Sequence, residues 1–184
     1  EPGPDSTGKI VAKFMNTFYD YQQVYSTEMS IDGQADDPTK ALRGHFNQLK
    51  KLKKRHPDLK VIISLGGWLG SVYFSDAALT EESREIFTES CIDIFIRGNL
   101  PIENGTGGQG ITAGIFNGID IDWEYPIRGG VQGIHHHEND NDNLTKLYAL
   151  FREKLDAINP DLLLTAAVPA KADVEQIYNI KKDA

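Results

Sequence analysis

Apolar residues along this chain change period several times, and each change marks an element. From Thr39, Leu42, Phe46, Leu49 and Leu52 recur three and four positions apart, which places them on one helical face. Lys50, Lys51, Lys53, Lys54 and Arg55 crowd the last turns, where the helix dipole favours cations, and Pro57 closes the helix. That basic cluster therefore reads as a helix terminus. Leu59–Ser64 is short, β-branched and apolar on both faces, the pattern of a buried strand. Thr80, with Glu81 and Glu82, opens a second helix to Arg97, stopped by Gly98, with Ile86, Phe87, Cys91, Ile94 and Phe95 on its apolar face. A third helix begins near Asp142 or Asn143 and shows Leu144, Leu147, Tyr148, Phe151, Leu155 and Ile158 on one side. Leu162–Val168 reads as another buried strand, and Ala172–Lys182 as the start of the helix after it.

Between the second and third helices lies Phe116–Pro126, FNGIDIDWEYP, where the period falls to two. In a strand Asp120, Asp122 and Glu124 then line one face, while Ile119, Ile121 and Trp123 line the other. Neighbouring carboxylates on such a face stand roughly 6.5 to 7 Å apart and in a partly dry site cannot all ionise freely, so some of them should titrate as a coupled set. A solvated acidic edge and a calcium loop are the alternatives. The apolar residues between the acids fit a strand covered by helices, whereas a calcium loop spaces its ligands around a turn containing glycine.

Strand, helix, strand, helix, strand is the order of parallel, right-handed βα units, so the expected fold class is α/β over residues 39–184. Residues 1–38 read as an irregular N-terminal segment or insertion, with a short strand at Ile10–Phe14.

Composition narrows the function. The chain has 184 residues with 40% apolar and 25% charged content, enough for one ordinary globular core. A net charge of −8 argues against nucleic acid or an anionic membrane as partner, because either calls for a basic patch. No apolar run is long enough to span a membrane, and EPGPDSTG has neither a basic n-region nor an apolar h-region, so the chain reads as mature or trimmed. Cys91 is the single cysteine, which rules out an internal disulfide and reads as core packing. Gly105, Gly107 and Gly110 satisfy G-x-G-x-x-G within a glycine-rich loop over 98–114, but that loop leads into a strand instead of opening a helix, which sets the dinucleotide reading aside. His135, His136 and His137 are consecutive, so their side chains diverge, whereas a zinc site wants spaced ligands; no metal and no cofactor is expected. Asn104-Gly-Thr106 and Asn143-Leu-Thr145 are glycosylation sequons in a eukaryotic secretory route, and Asn143 doubles as a helix cap.

The central stretch resembles the D-G-x-D-x-D-x-E signature of glycoside hydrolase family 18, the chitinases and their relatives, with Asn117, Gly118, Asp120, Asp122 and Glu124 on the motif positions. Ser64-Leu65-Gly66-Gly67-Trp68 is similar to the family's S-x-G-G motif on the preceding barrel strand, and DYQQVYSTEMSIDG resembles an excursion after the second strand of bacterial members. Asn117 stands where the family usually has aspartate, on the face away from the acids. The resemblance implies the middle of a (β/α)8 TIM barrel, its third to fifth strands, since a whole barrel takes about 250 residues. Other segments, on this chain's partner or elsewhere, would then cover its open edges.

It also implies a secreted hydrolase of chitin and N-acetylglucosamine oligomers, neutral polymers that need no basic patch. Glu124 matches the proton donor, Asp122 the residue that orients the substrate's 2-acetamido group, and Asp120 with Ser64 the support behind it. Trp68, Tyr125 and Gly67 fall where the sugar would bind. Leu69-Gly70-Ser71 lacks the second tryptophan that often follows S-x-G-G-W in bacterial relatives. Two other readings are a non-catalytic chitin-binding relative, against which the presence of Glu124 argues, and an acidic metal-dependent hydrolase, which chelation would inactivate.

Overall fold

The computed structural model describes residues 1–169, so the helix expected over Ala172–Lys182 lies outside the described residues. In chain order the elements are β1 (Pro2–Pro4), β2 (Ile10–Ala12), α1 (Gly44–Arg55), β3 (Ile63–Gly66), α2 (Gly67–Gly70), α3 (Phe74–Leu79), α4 (Glu81–Cys91), β4 (Leu100–Glu103), β5 (Thr106–Gly108), β6 (Gly118–Asp122), α5 (Asp140–Ile158) and β7 (Leu163–Ala166). Phe18–Gln22 and Ile92–Ile96 form π-helical turns. The chain divides into two compact units, one of 1–13, 62–92 and the residues from Gly118 onward, the other of 14–61 and 93–117.

The first unit is built on a three-stranded parallel sheet in the order β3-β6-β7. Ser64 pairs with Asp120, and Asp120 with Thr165, so these residues share one row across the strands. The opposite face of β6 is buried: Ile119, Ile121 and Trp123 are almost inaccessible, as their period-two spacing predicts. Phe74 of α3 stacks on Trp123 at 5.5 Å, and Phe87 of α4 meets Phe74 and Phe151 of α5 edge-on at 5.9 and 6.1 Å. Burying each such ring contributes about 1.5–3 kcal/mol. α4 starts where Thr80 caps it: Thr80 Oγ1 accepts from Ser83 N at 3.0 Å, and Ser83 Oγ accepts from Thr80 N at 2.9 Å. Burial pushes the Cys91 thiol up to about 12, so it packs as a neutral apolar side chain. β1 and β2 pair antiparallel with each other and stay outside the parallel sheet.

Several boundaries differ from the sequence pattern. The strand expected from Leu59 starts at Ile63, and β7 is largely exposed, with Leu163 at 39%, where a buried strand was expected. Both are edges of the described sheet, and only β6 is flanked on two sides. α4 ends at Cys91 and passes into the π-helical turn instead of running to Arg97. α5 starts at Asp140, which leaves Asn143 buried inside the first turn rather than capping it.

The second unit packs Phe14, Tyr21, Phe46, Phe95 and Phe116 ring against ring at 5.2–6.1 Å. α1 begins at Gly44, not Thr39, whose N–H is held in a turn by Asp37 Oδ1 at 2.8 Å. Gly44 has φ +64, and a Cβ there would meet Tyr19 O at 2.6 Å, so only glycine fits this entry. The glycine-rich stretch over 98–114 contains an antiparallel hairpin, β4 with β5, and Asn104 is exposed at its tip. Of the two sequon asparagines, only Asn104 is accessible.

The basic cluster of α1 also makes specific bonds. Lys51 Nζ lies 2.9 Å from Asp36 and 3.0 Å from Asp32. Lys53 Nζ donates to Gly114 O and Ile115 O at 2.9 Å and to Asn117 Oδ1 at 2.7 Å.

Candidate active site

β6 ends at Asp122, and the three acids sit at and just beyond its carboxyl end. Asp120 is held from both sides by hydroxyls in its own row: Ser64 Oγ donates to Oδ2 at 2.8 Å and Thr165 Oγ1 to Oδ1 at 2.6 Å. The register makes this clamp possible, because parallel pairing puts residues of adjacent strands level with Asp120 on the same face. Thr165 carries no motif signal, and only the pairing of Leu162–Val168 beside the acid strand could have found it.

Asp122 is half-buried, and burial, followed by the charges of Glu124 and Asp120, raises its carboxyl above the ordinary range. Glycine lets the neighbouring turn approach it. Gly66 has φ +110, and a Cβ there would meet Asp122 O at 2.3 Å; a Cβ on Gly67 would stand 3.6 Å from Asp122 Oδ2. Glu124 follows the strand end, with its N–H donated to Ser71 Oγ at 2.9 Å. The Tyr125 hydroxyl is raised by burial and then by Glu124 and Asp122.

Asp122, Glu124 and Tyr125 line one cavity of about 200 Å³ with Ala167, Val168 and Pro169. Ser64 and Asp120 stand behind it and do not line it, and Trp68, at the start of α2, is 52% exposed outside its lining. Chemically, a carboxyl partly removed from water beside a second carboxylate holds its proton more tightly than a free one does, which suits general acid–base work.

Asn117 belongs to the other unit's bonding, its Oδ1 accepting from Lys53 Nζ and from Val61 N at 3.1 Å. The histidines go to separate partners: His135 Nδ1 lies 2.5 Å from Asp76 Oδ2, His136 Nε2 3.0 Å from Gly129 O, and His137 N donates to Asp140 Oδ2 at 2.8 Å. Among the described residues no three His, Cys, Asp or Glu side chains converge as a metal site would require.

The profile of Glycosyl hydrolases family 18 matches residues 4–184. Chitinase A1 of Niallia circulans is 41% identical over 135 residues, 71% of this chain and 17% of that protein. The catalytic domain of psychrophilic chitinase B from Arthrobacter TAD20 superposes with a TM-score of 0.82 at 45% identity, covering 90% of this chain and 38% of that one. Group IV chitinase of Ostrinia furnacalis in complex with allosamidin matches at 32% identity with a TM-score of 0.58, covering 76% and 32% of the two chains. The chain thus spans well under half the length of these relatives. With the family profile over nearly its whole length, and the acid strand and glycine turn set side by side in the structure, the chain belongs to glycosyl hydrolases family 18.

Proposed function

We propose that this protein hydrolyses β-1,4 glycosidic bonds in chitin and N-acetylglucosamine oligomers, with retention and with assistance from the substrate. The observation that carries this reading is one cleft holding Asp122, Glu124 and Tyr125 at the carboxyl end of β6, backed by the Ser64–Asp120–Thr165 row. Glu124 donates its proton to the glycosidic oxygen. The carbonyl oxygen of the substrate's own 2-acetamido group attacks the anomeric carbon as the leaving sugar departs, forming an oxazolinium ion. Asp122 accepts a hydrogen bond from the acetamido N–H and orients it. Water then attacks the anomeric carbon from the face the leaving sugar vacated, breaking the oxazolinium C–O bond and losing its proton to Glu124. An ordinary retaining enzyme places a nucleophilic carboxylate about 5 Å from the acid, whereas family 18 is a substrate-assisted exception.

Tyr125 and the exposed Trp68 offer faces for sugar rings, and Gly67 leaves room beside Asp122. In this reading β3, β6 and β7 are the third to fifth strands of a (β/α)8 barrel whose active site lies at the carboxyl ends of its strands. Residues 39–184 are then the partial catalytic domain, and the protein acts outside the cell, where its polymer substrate is. The test is hydrolysis of a fluorogenic chito-oligosaccharide by the natural full-length protein and by its Glu124→Gln variant. Turnover lowered at least about 10²-fold in the variant is expected, and undiminished turnover there contradicts the assignment.

A further inference from the structure

We propose that Ser71 is a positioning residue that fixes the backbone of Glu124 and so sets where its carboxyl stands in the cleft, an inference that rests on the function proposed above for Glu124. Ser71 is fully buried and follows directly on α2. Its Oγ accepts from Glu124 N at 2.9 Å and lies 2.8 Å from Gly67 O and 3.1 Å from Asp122 O. A hydroxyl has one proton, so it donates to one of these carbonyls at a time while always accepting from Glu124.

The arrangement answers a problem created by the end of β6. Up to Asp122 the backbone is held by strand pairing, and Ala167 N still reaches Ile121 O at 3.2 Å. At Glu124 the ladder has stopped, and a half-buried N–H without a partner would turn toward any available acceptor and carry its residue with it. Ser71 supplies that acceptor from a neighbouring rigid turn. The turn is close enough only because residue 66 is glycine, whose missing Cβ would otherwise overlap Asp122 O. One hydroxyl therefore joins three points, two on the acid segment and one on the glycine turn. Sequence motifs stop at Trp68 on one side and Glu124 on the other, and neither includes this link.

The test compares Ser71→Ala and Ser71→Thr with the parent in the natural full-length protein, with Glu124→Gln alongside. Ser71→Ala is expected to lower kcat about 10- to 100-fold at nearly unchanged KM, the size of effect that a shift of about 1 Å in a reacting group produces. Ser71→Thr, which keeps the hydroxyl, should recover most of that loss. Amide hydrogen exchange provides a readout independent of activity: exchange at Glu124 should rise in Ser71→Ala, while Ile119 and Ile121 keep their protection. Unchanged exchange at Glu124, or a kcat loss that Ser71→Thr does not recover, overturns the proposal. If Glu124→Gln retains full turnover the proposed function fails instead, and the exchange at Glu124 still decides whether Ser71 holds it.

Discussion

Two groups of acidic side chains in this molecule teach opposite lessons. In the second unit Asp36 is buried, yet its charge is matched: Lys51 stands 2.9 Å away, and Asn47, Gln48 and the Tyr25 N–H donate to it. Asp32, bonded to the same lysine, is drawn down to about 2. In the first unit Asp120 is held by neutral hydroxyls, and Asp122, with carboxylates on either side of it in sequence, is pushed up. Acids clasped by a cation hold structure. In the acid row supported by hydroxyls, burial and the neighbouring carboxylates instead push the Asp122 carboxyl up.

Substitutions break this contrast in graded ways. The largest effect is expected at Glu124, where Gln removes the transferable proton and should lower kcat by about 10²- to 10⁴-fold with little change in melting temperature. Next is Lys51→Met, which leaves Asp36 buried without its cation. Lys51 keeps 17% side-chain exposure, so the loss should fall at the lower end, about 3 kcal/mol by urea denaturation, and Asp36→Asn in the same chain should restore much of it.

Asp122→Asn should lower kcat by about 10²-fold through the lost orientation of the acetamido group, yet raise stability at neutral pH. The folded carboxyl titrates above its unfolded value of 3.8. Above the folded pKa both states are ionised and the native state bears the full penalty; as pH falls from there toward 3.8 the native state protonates first and the penalty disappears. Thermal scans across this window should therefore show the stabilisation by Asn shrinking with acidification, and a constant difference would contradict the shift. The smallest effect is expected for Thr165→Val, which removes one of the two hydroxyls on Asp120. It should cost about 1 kcal/mol of stability or about fivefold in rate, read by the same assays.

Much of this was legible in the sequence, because burial leaves periodicity. The alternation in Phe116–Pro126 placed Ile119, Ile121 and Trp123 in the core and the acids opposite, and the apolar stripe of α5 gave Leu144, Leu147, Phe151 and Leu155. What escaped depends on contacts between segments far apart in the chain. Nothing local marks Thr165 or Ser71, since a threonine in a strand and a serine after a turn are ordinary until the register sets them against Asp120 and Glu124. The start of α1 escaped because it is fixed by the crowding of Gly44 against Tyr19, not by its apolar stripe. Lys51 and Lys53 looked like dipole-matched helix ends, and their bonds to Asp36 and Asn117 required the fold. The exposure of β7 likewise depends on which strands flank it, which its composition does not reveal.

The central claim is that the substrate's own acetamido group, oriented by Asp122 while Glu124 protonates the departing oxygen, takes the place of a carboxylate nucleophile. The most direct measurement is the anomeric form of the first product from a chito-oligosaccharide, followed by proton NMR before mutarotation. The account predicts the β anomer as the first product of the parent protein, while an initial α anomer would contradict it.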